Sequence, residues 1–135
     1  MLNIKSHAVQ ETGTLHLRDA EGNPLYEGGK KVTITLHSPG SKAYGRAKAA
    51  QNNRIVNRLK KKGRIEQTAE ERLAEQAEFL AEVTASFDNF RYDENLSGQD
   101  EFKAAYSDPS IGFIVDQVAE FLGEWGNFTK ASTTN

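Results

Sequence analysis

Between residues 28 and 65 the chain carries eleven lysines and arginines and no acid, whereas residues 66 to 127 hold fifteen acids against Arg72, Arg91 and Lys103. The two stretches bear formal charges of about +11 and −12, concealed under a net charge of −2. Such a chain is a charge dipole along its sequence. Neither stretch packs on itself without like-charge repulsion, so each must face solvent, the other stretch or a partner of opposite sign. At 135 residues there is room for one domain with one core. No apolar run approaches the ~20 residues of a bilayer-spanning helix. The opening residues, Met1 to Ser6, lack the pattern of a secretory leader, and cysteine is absent. A reducing cytoplasm is the expected compartment.

Residues 1 to 13 are polar, carry no sustained period and are expected to form a flexible arm. A single α+β domain is then expected over residues 14 to 128, with strands in 14–37 and helices in 41–128, followed by a frayed tail at 129–135. Thr14 to Arg18 alternates as a strand does, Asp19 to Pro24 is turn chemistry, and Leu25-Tyr26 pairs back as a short return strand. Beyond the Gly28-Gly29 break, Val32, Ile34 and Leu36 define a buried strand face, with Thr33 and Thr35 on a wet one. The reading is a short antiparallel sheet or hairpin followed by about four helices.

Ser38 or Ser41 caps the first long helix, which runs to about Lys62 with Gly63 as its stop. Its apolar positions form only a narrow stripe, so most of it faces solvent or a partner. Thr68-Ala69-Glu70-Glu71 is a capping box that starts the second helix near Ala69. Leu73, Gln76, Ala77, Leu80, Val83, Thr84 and Phe87 make its apolar face, and glutamates fill its flank. Ser97 to Asp100 opens a short helix bearing Phe102, Ala105 and Tyr106. Asp108-Pro109 opens a last helix whose apolar set runs from Ile111 to Trp125.

No catalytic constellation is present. The three histidines, His7, His16 and His37, lack ligand spacing, so neither a metal nor a cofactor is expected. The Tyr44-x-x-x-Lys48 pair lacks the glycine-rich loop that a dinucleotide site needs. What remains is binding. Lys42, Arg46, Arg54, Arg58 and the Lys60, Lys61, Lys62 run form a basic surface that meets carboxylates on the chain's own second helix or on a neighbouring subunit. Reversing the charge of Arg54 and Arg58 is expected to loosen oligomers or client binding more than it lowers monomer stability. Phe79 lies off the main stripe of the second helix and Phe113, Phe121 and Trp125 spread over several sides of the last, offering an apolar patch for a subunit or a client helix. The basic helix, residues 42–64, also fits a nucleic-acid-binding regulator, which the acidic half disfavours.

Three segments in combination resemble the tail assembly chaperones of long-tailed bacteriophages. They are Pro39-Gly40-Ser41-Lys42 leading into the basic helix, Leu73 to Leu80 leading to Phe87-Asp88-Asn89-Phe90, and Tyr106-Ser107-Asp108-Pro109-Ser110-Ile111-Gly112-Phe113-Ile114 continuing to Gly126-Asn127-Phe128. The resemblance implies a non-enzymatic homo-oligomer of the host cytoplasm that binds and solubilises the tape measure protein. It further implies help in recruiting the tail tube protein and absence from the mature virion. A structural tail protein is the other virion-related alternative.

Overall fold

Ile34 and Leu36, read from alternation alone, sit fully buried at the centre of the molecule. The computed structural model describes residues 1–63 and 66–130. In chain order the elements are β1 (Thr12–His16), β2 (Tyr26–Glu27), β3 (Lys30–Lys31), β4 (Thr33–His37), α1 (Lys42–Lys62), α2 (Ala69–Glu82), β5 (Thr84–Asp88), α3 (Gly98–Tyr106) and α4 (Gly112–Leu122). Short 3-10 turns add Ile4–His7, Pro109–Ile111 and Trp125–Phe128. The fold is α+β, with an antiparallel sheet in the order β1-β4-β5 and a small β2-β3 hairpin.

β1 pairs with β4 from Thr12 opposite His37 to His16 opposite Thr33. The chain between them folds into the β2-β3 hairpin, whose turn places Gly28 and Gly29 at φ of 61° and 77°. Two consecutive positive φ values are what a type I′ turn requires, and glycine adopts them without steric cost. Where the two pairs of strands meet, Leu25 donates its N–H to Leu17, Leu17 to Val32 and Val32 to Leu25. Asn89, itself at φ 67°, donates Nδ2 to the carbonyls of Glu27 (2.9 Å) and Lys30 (3.1 Å), tying the hairpin to the end of β5.

β5 corrects the expectation that residues 41–128 are helical throughout. The second helix stops at Glu82, and Val83, at φ −92° and ψ 1°, turns the chain into a strand that pairs with the free side of β4. Val83, Thr84 and Phe87 continue the helical spacing by coincidence. The β-branched pair Val83-Thr84 and the edge of β4, about fifty residues back in the chain, decide the matter. The threonine face of β4 is not wet either. Thr33 is buried, and the Thr33 and Thr35 hydroxyls donate to Asp88 Oδ2 at 2.9 and 2.7 Å across the new strand pair.

The arm is shorter than residues 1–13. Gly13 is buried within β1, Val9 packs on the core, and the Gln10 N–H donates to the Phe128 carbonyl at 2.7 Å. Of the tail read at 129–135, residues 131–135 lie outside the described residues, as does residue 64 of the basic stretch. α2, α3 and α4 contribute Ala77, Leu80, Phe102, Tyr106 and Val118 to one apolar cluster with Leu17, Ile34 and Leu36. Inside it the Tyr106 hydroxyl donates to Thr84 Oγ1 at 2.7 Å, which in turn donates to the Leu80 carbonyl at 2.7 Å. Burial pushes the Tyr106 phenol above its ordinary pKa, so it stays a neutral donor.

Candidate functional site

α1 and α2 form an antiparallel hairpin whose ends are set by local chemistry. Ser41 Oγ accepts the Tyr44 N–H at 3.1 Å, which resolves the choice between Ser38 and Ser41 as the cap. Gly63, at φ 69°, ends α1 in the left-handed conformation. Thr68 and Glu71 exchange both hydrogen bonds of a capping box at the start of α2. Only Ala47 of α1 is buried, so apolar packing holds its first turns and something else must hold the rest.

That something is charge. Arg54 donates from Nε and Nη2 to both oxygens of Glu75 at 2.8 to 3.0 Å, and Nη2 also lies 3.0 Å from Glu82 Oε1. The contact with Glu82 is an ion pair without the alignment of a hydrogen bond. Arg58 approaches Glu75 at 3.8 Å, and Lys62 binds Glu71 at 2.6 Å. The hydrogen bonds that Arg54 donates to Glu75 outweigh burial and raise the Arg54 pKa further, with Glu82 adding to it. The Lys62 ammonium and then the Thr68 amide hold the Glu71 carboxyl down to about 2.

Of the two destinations open for the basic helix, Arg54, Arg58 and Lys62 thus take the chain's own second helix. Charge reversal at Arg54 and Arg58 is therefore expected to lower monomer stability as well. Arg54→Glu would set a third carboxylate between Glu75 and Glu82. The site is half-buried, intermediate between exposed pairs of at most ~1 kcal/mol and buried ones of ~3–5 kcal/mol, so a loss of about 1–3 kcal/mol is expected. Amide exchange should accelerate first along residues 51–62 and 69–76. Exchange that quickens uniformly over the sheet instead would mean that the ion pairs do not hold the hairpin.

Lys42, Arg46, Lys60 and Lys61 remain exposed and form no ion pair among the described residues. The aromatic candidates divide differently. Phe79 is 9% exposed, meets the Tyr44 ring edge-on at 5.6 Å and lies under Lys48 Nζ at 4.8 Å, so it is a wedge between α1 and α2 whose edge reaches a groove wall. Phe113 is half-buried, and Phe121, also half-buried, stands edge-on to Phe128 at 5.2 Å. Trp125 is 56% exposed. It lies beyond the end of α4, its ring over Gly40, where an added Cβ would come within 3.4 Å of it.

An open groove of about 760 Å³ runs between the hairpin and the end of α4, with Tyr44, Leu73, Phe79, Leu80 and Leu122 on its walls and Arg72, Glu75 and Gln76 at its polar margins. Leu73, read from spacing as core, is 39% exposed here, because the first half of α2 extends beyond the sheet and helices that bury its second half. A sequence signal existed: Leu73 is an isolated large apolar residue among Glu70, Glu71, Arg72 and Glu75. No helix among the described residues is long and apolar enough to cross a membrane. No protein-family model, curated protein or solved structure matches the chain.

Proposed function

We propose that the chain is a tail assembly chaperone of the long-tailed bacteriophage kind, which binds helical segments of the tape measure protein and keeps them in solution in the host cytoplasm. It acts by binding, without catalysis, and assists assembly of the tail tube protein around its client. The observation that carries this reading is the open groove with Leu73 exposed on its wall. A client that is long, helical and not yet assembled exposes apolar stripes, and a concave apolar wall with charged margins suits the anchors of an amphipathic helix at positions i, i+3 and i+4. The combination of segments from Pro39 to Phe128 that resembles these chaperones includes Leu73 and runs through α1, α2 and α4, the elements that form the groove.

Co-expression with the tape measure protein tests the proposal. The wild-type chain is expected to move the client from the insoluble to the soluble fraction, and Leu73→Asp to lose most of that effect. Because Leu73 is already exposed, this variant should melt close to the wild type, with the ±0.5 kcal/mol typical of surface substitutions. A client whose solubility ignores the partner sinks the proposal. Recovery of the chain in purified particles points instead to a structural tail protein.

A further inference from the structure

The ion pairs of the hairpin and the wall of the groove use one half of α1, the half that carries Tyr44, Gln51, Arg54 and Arg58. At ~3.6 residues per turn the opposite half carries Ala49, Asn52, Asn53, Val56 and Asn57, and all of these are exposed. Asparagine is a poor former of helix interiors. Asn52, Asn53 and Asn57 make no side-chain hydrogen bond among the described residues, so nothing within the chain accounts for three amides on this face. Lys42 stands before the amides and Lys60 and Lys61 after them, exposed and without an ion pair among the described residues. Arg46 lies between this face and a cleft lined by Glu78 and Glu82, and pairs with neither. Four of the five carboxylates of α2 are already answered: Glu71, Glu75 and Glu82 by Lys62 and Arg54 on the inner half of α1, and Glu78 by Lys103 at 3.0 Å. The acidic half of the chain therefore leaves the outer face of α1 positive.

We propose that the outer face of α1 reads the major groove of duplex DNA at steps rich in A·T pairs. In that groove an asparagine amide accepts from adenine N6 and donates to adenine N7, and an aliphatic side chain packs on the thymine methyl group. Asn53 and Asn57 supply the amides and Ala49 and Val56 the methyls, so one face answers both members of an A·T pair. From Ala49 to Asn57 the helix rises ~12 Å at ~1.5 Å per residue, the height of three to four base pairs at ~3.4 Å each. The B-form groove is ~12 Å wide and admits a single helix of ~10–12 Å diameter. Lys42 and Lys60, ~27 Å apart along the axis, then reach phosphates at the two ends of the contact and position the helix without reading sequence. The major groove of A-form RNA is too deep and narrow for this face to enter. The proposal rests on the outer face alone, since the groove and its client occupy the other half of α1.

Selection from a randomised pool of DNA duplexes at ~50 mM salt should enrich A·T pairs over a core of about three to four positions. Fluorescence anisotropy on the enriched duplex should show log Kd rising with log salt at a slope of about 3, as expected for three or four neutralised phosphates. Lys42→Ala with Lys60→Ala should weaken enriched and unselected duplexes alike and lower the slope by about 2. Asn53→Ala with Asn57→Ala should weaken the enriched duplex about tenfold or more and leave the unselected duplex and the slope unchanged. Alanine is the better helix former and all four positions are exposed, so both variants should keep the wild-type circular dichroism spectrum. Leu73→Asp, on the groove wall, should bind DNA as the wild type does, which separates this face from the client site. A wild-type chain that binds no duplex at ~10 mM salt overturns the proposal. So does binding without A·T enrichment, enrichment that the asparagine variant retains, or an RNA duplex bound as tightly as the enriched DNA.

Discussion

Truncating Phe128 to alanine is expected to cost about 3–5 kcal/mol of stability, the range for a fully buried phenylalanine whose site does not collapse. The side chain is 0% exposed and stands edge-on to Phe121, and it closes over β1 at the one position where that strand has no side chain. A Cβ at Gly13 would lie 2.6 Å from the Phe128 ring and 2.9 Å from the Asn127 carbonyl. Ring and glycine are therefore two halves of one contact, and the Gln10 N–H bonded to the Phe128 carbonyl fastens the same corner. For a domain of this size the loss corresponds to a drop in Tm of roughly 10 °C or more. Gly13→Val should approach the effect from the other side, by overpacking, at about 1–3 kcal/mol or above. Urea-derived unfolding free energies for both variants within ~0.5 kcal/mol of wild type would mean that the last turn is not part of the cooperative unit.

Glu101→Gln is expected to cost about 2–3 kcal/mol at neutral pH and to flatten the acid limb of the stability curve. Glu101 is only 6% exposed, yet it accepts the backbone N–H of Tyr92 at 2.8 Å and of Asp93 at 3.3 Å, with the Arg91 guanidinium at 3.4 Å. Burial alone would raise its pKa. The Tyr92 and Asp93 amides and Arg91 outweigh burial and hold the carboxyl below its ordinary value in the folded state. A glutamine turns part of that acceptor into a donor facing donors, which leaves buried amide hydrogens without a partner. Because the folded pKa is depressed, the carboxylate's contribution is complete above the ordinary carboxylate range and disappears as the pH falls through the folded value. Glu71, held to about 2, and Asp108, lowered by the Ser110 hydroxyl and amide, titrate in the same sense. Wild type should therefore lose stability between about pH 4.5 and pH 2, and the variant should lose less over that interval. Parallel curves for the two proteins from pH 7 to pH 2 would show that Glu101 takes no part.

Both positions illustrate which features of this chain reveal themselves in one dimension. Thr68 and Glu71 announce a helix start because cap and partner are three residues apart, and Gly63 announces a stop because only the local backbone angle matters. Glu101, by contrast, reads as one more acid in a short helix. Its cradle of amides comes from the loop at Tyr92 and Asp93, whose path depends on how β5 leaves the sheet. Gly13 reads as an ordinary arm residue until the last turn of the chain is laid against it. Trp125 and Phe79 were equivalent as exposed-patch candidates. The crossing of α1 over α2 buries Phe79, and the end of α4 at Leu122 leaves Trp125 outside.

The end of α1 at Gly63, the start of α2 at its capping box, the buried face of β4 and the separation of charge were legible in the residues because each depends on neighbours within about four positions or on simple periodicity. Three dimensions were needed to turn residues 84–88 into a strand, since the pairing edge of β4 lies far off in the chain and outcompetes a helical spacing that the residues also satisfy. They were needed as well to say what the charge split does. The sequence shows that the basic and acidic stretches must be answered by opposite charge somewhere. Only the antiparallel placement of α1 on α2 divides the basic residues into Arg54, Arg58 and Lys62, answered within the chain, and Lys42, Arg46 and Lys60, which are exposed and form no ion pair among the described residues. The reason is geometric: a helix has several faces and a neighbouring helix covers one of them.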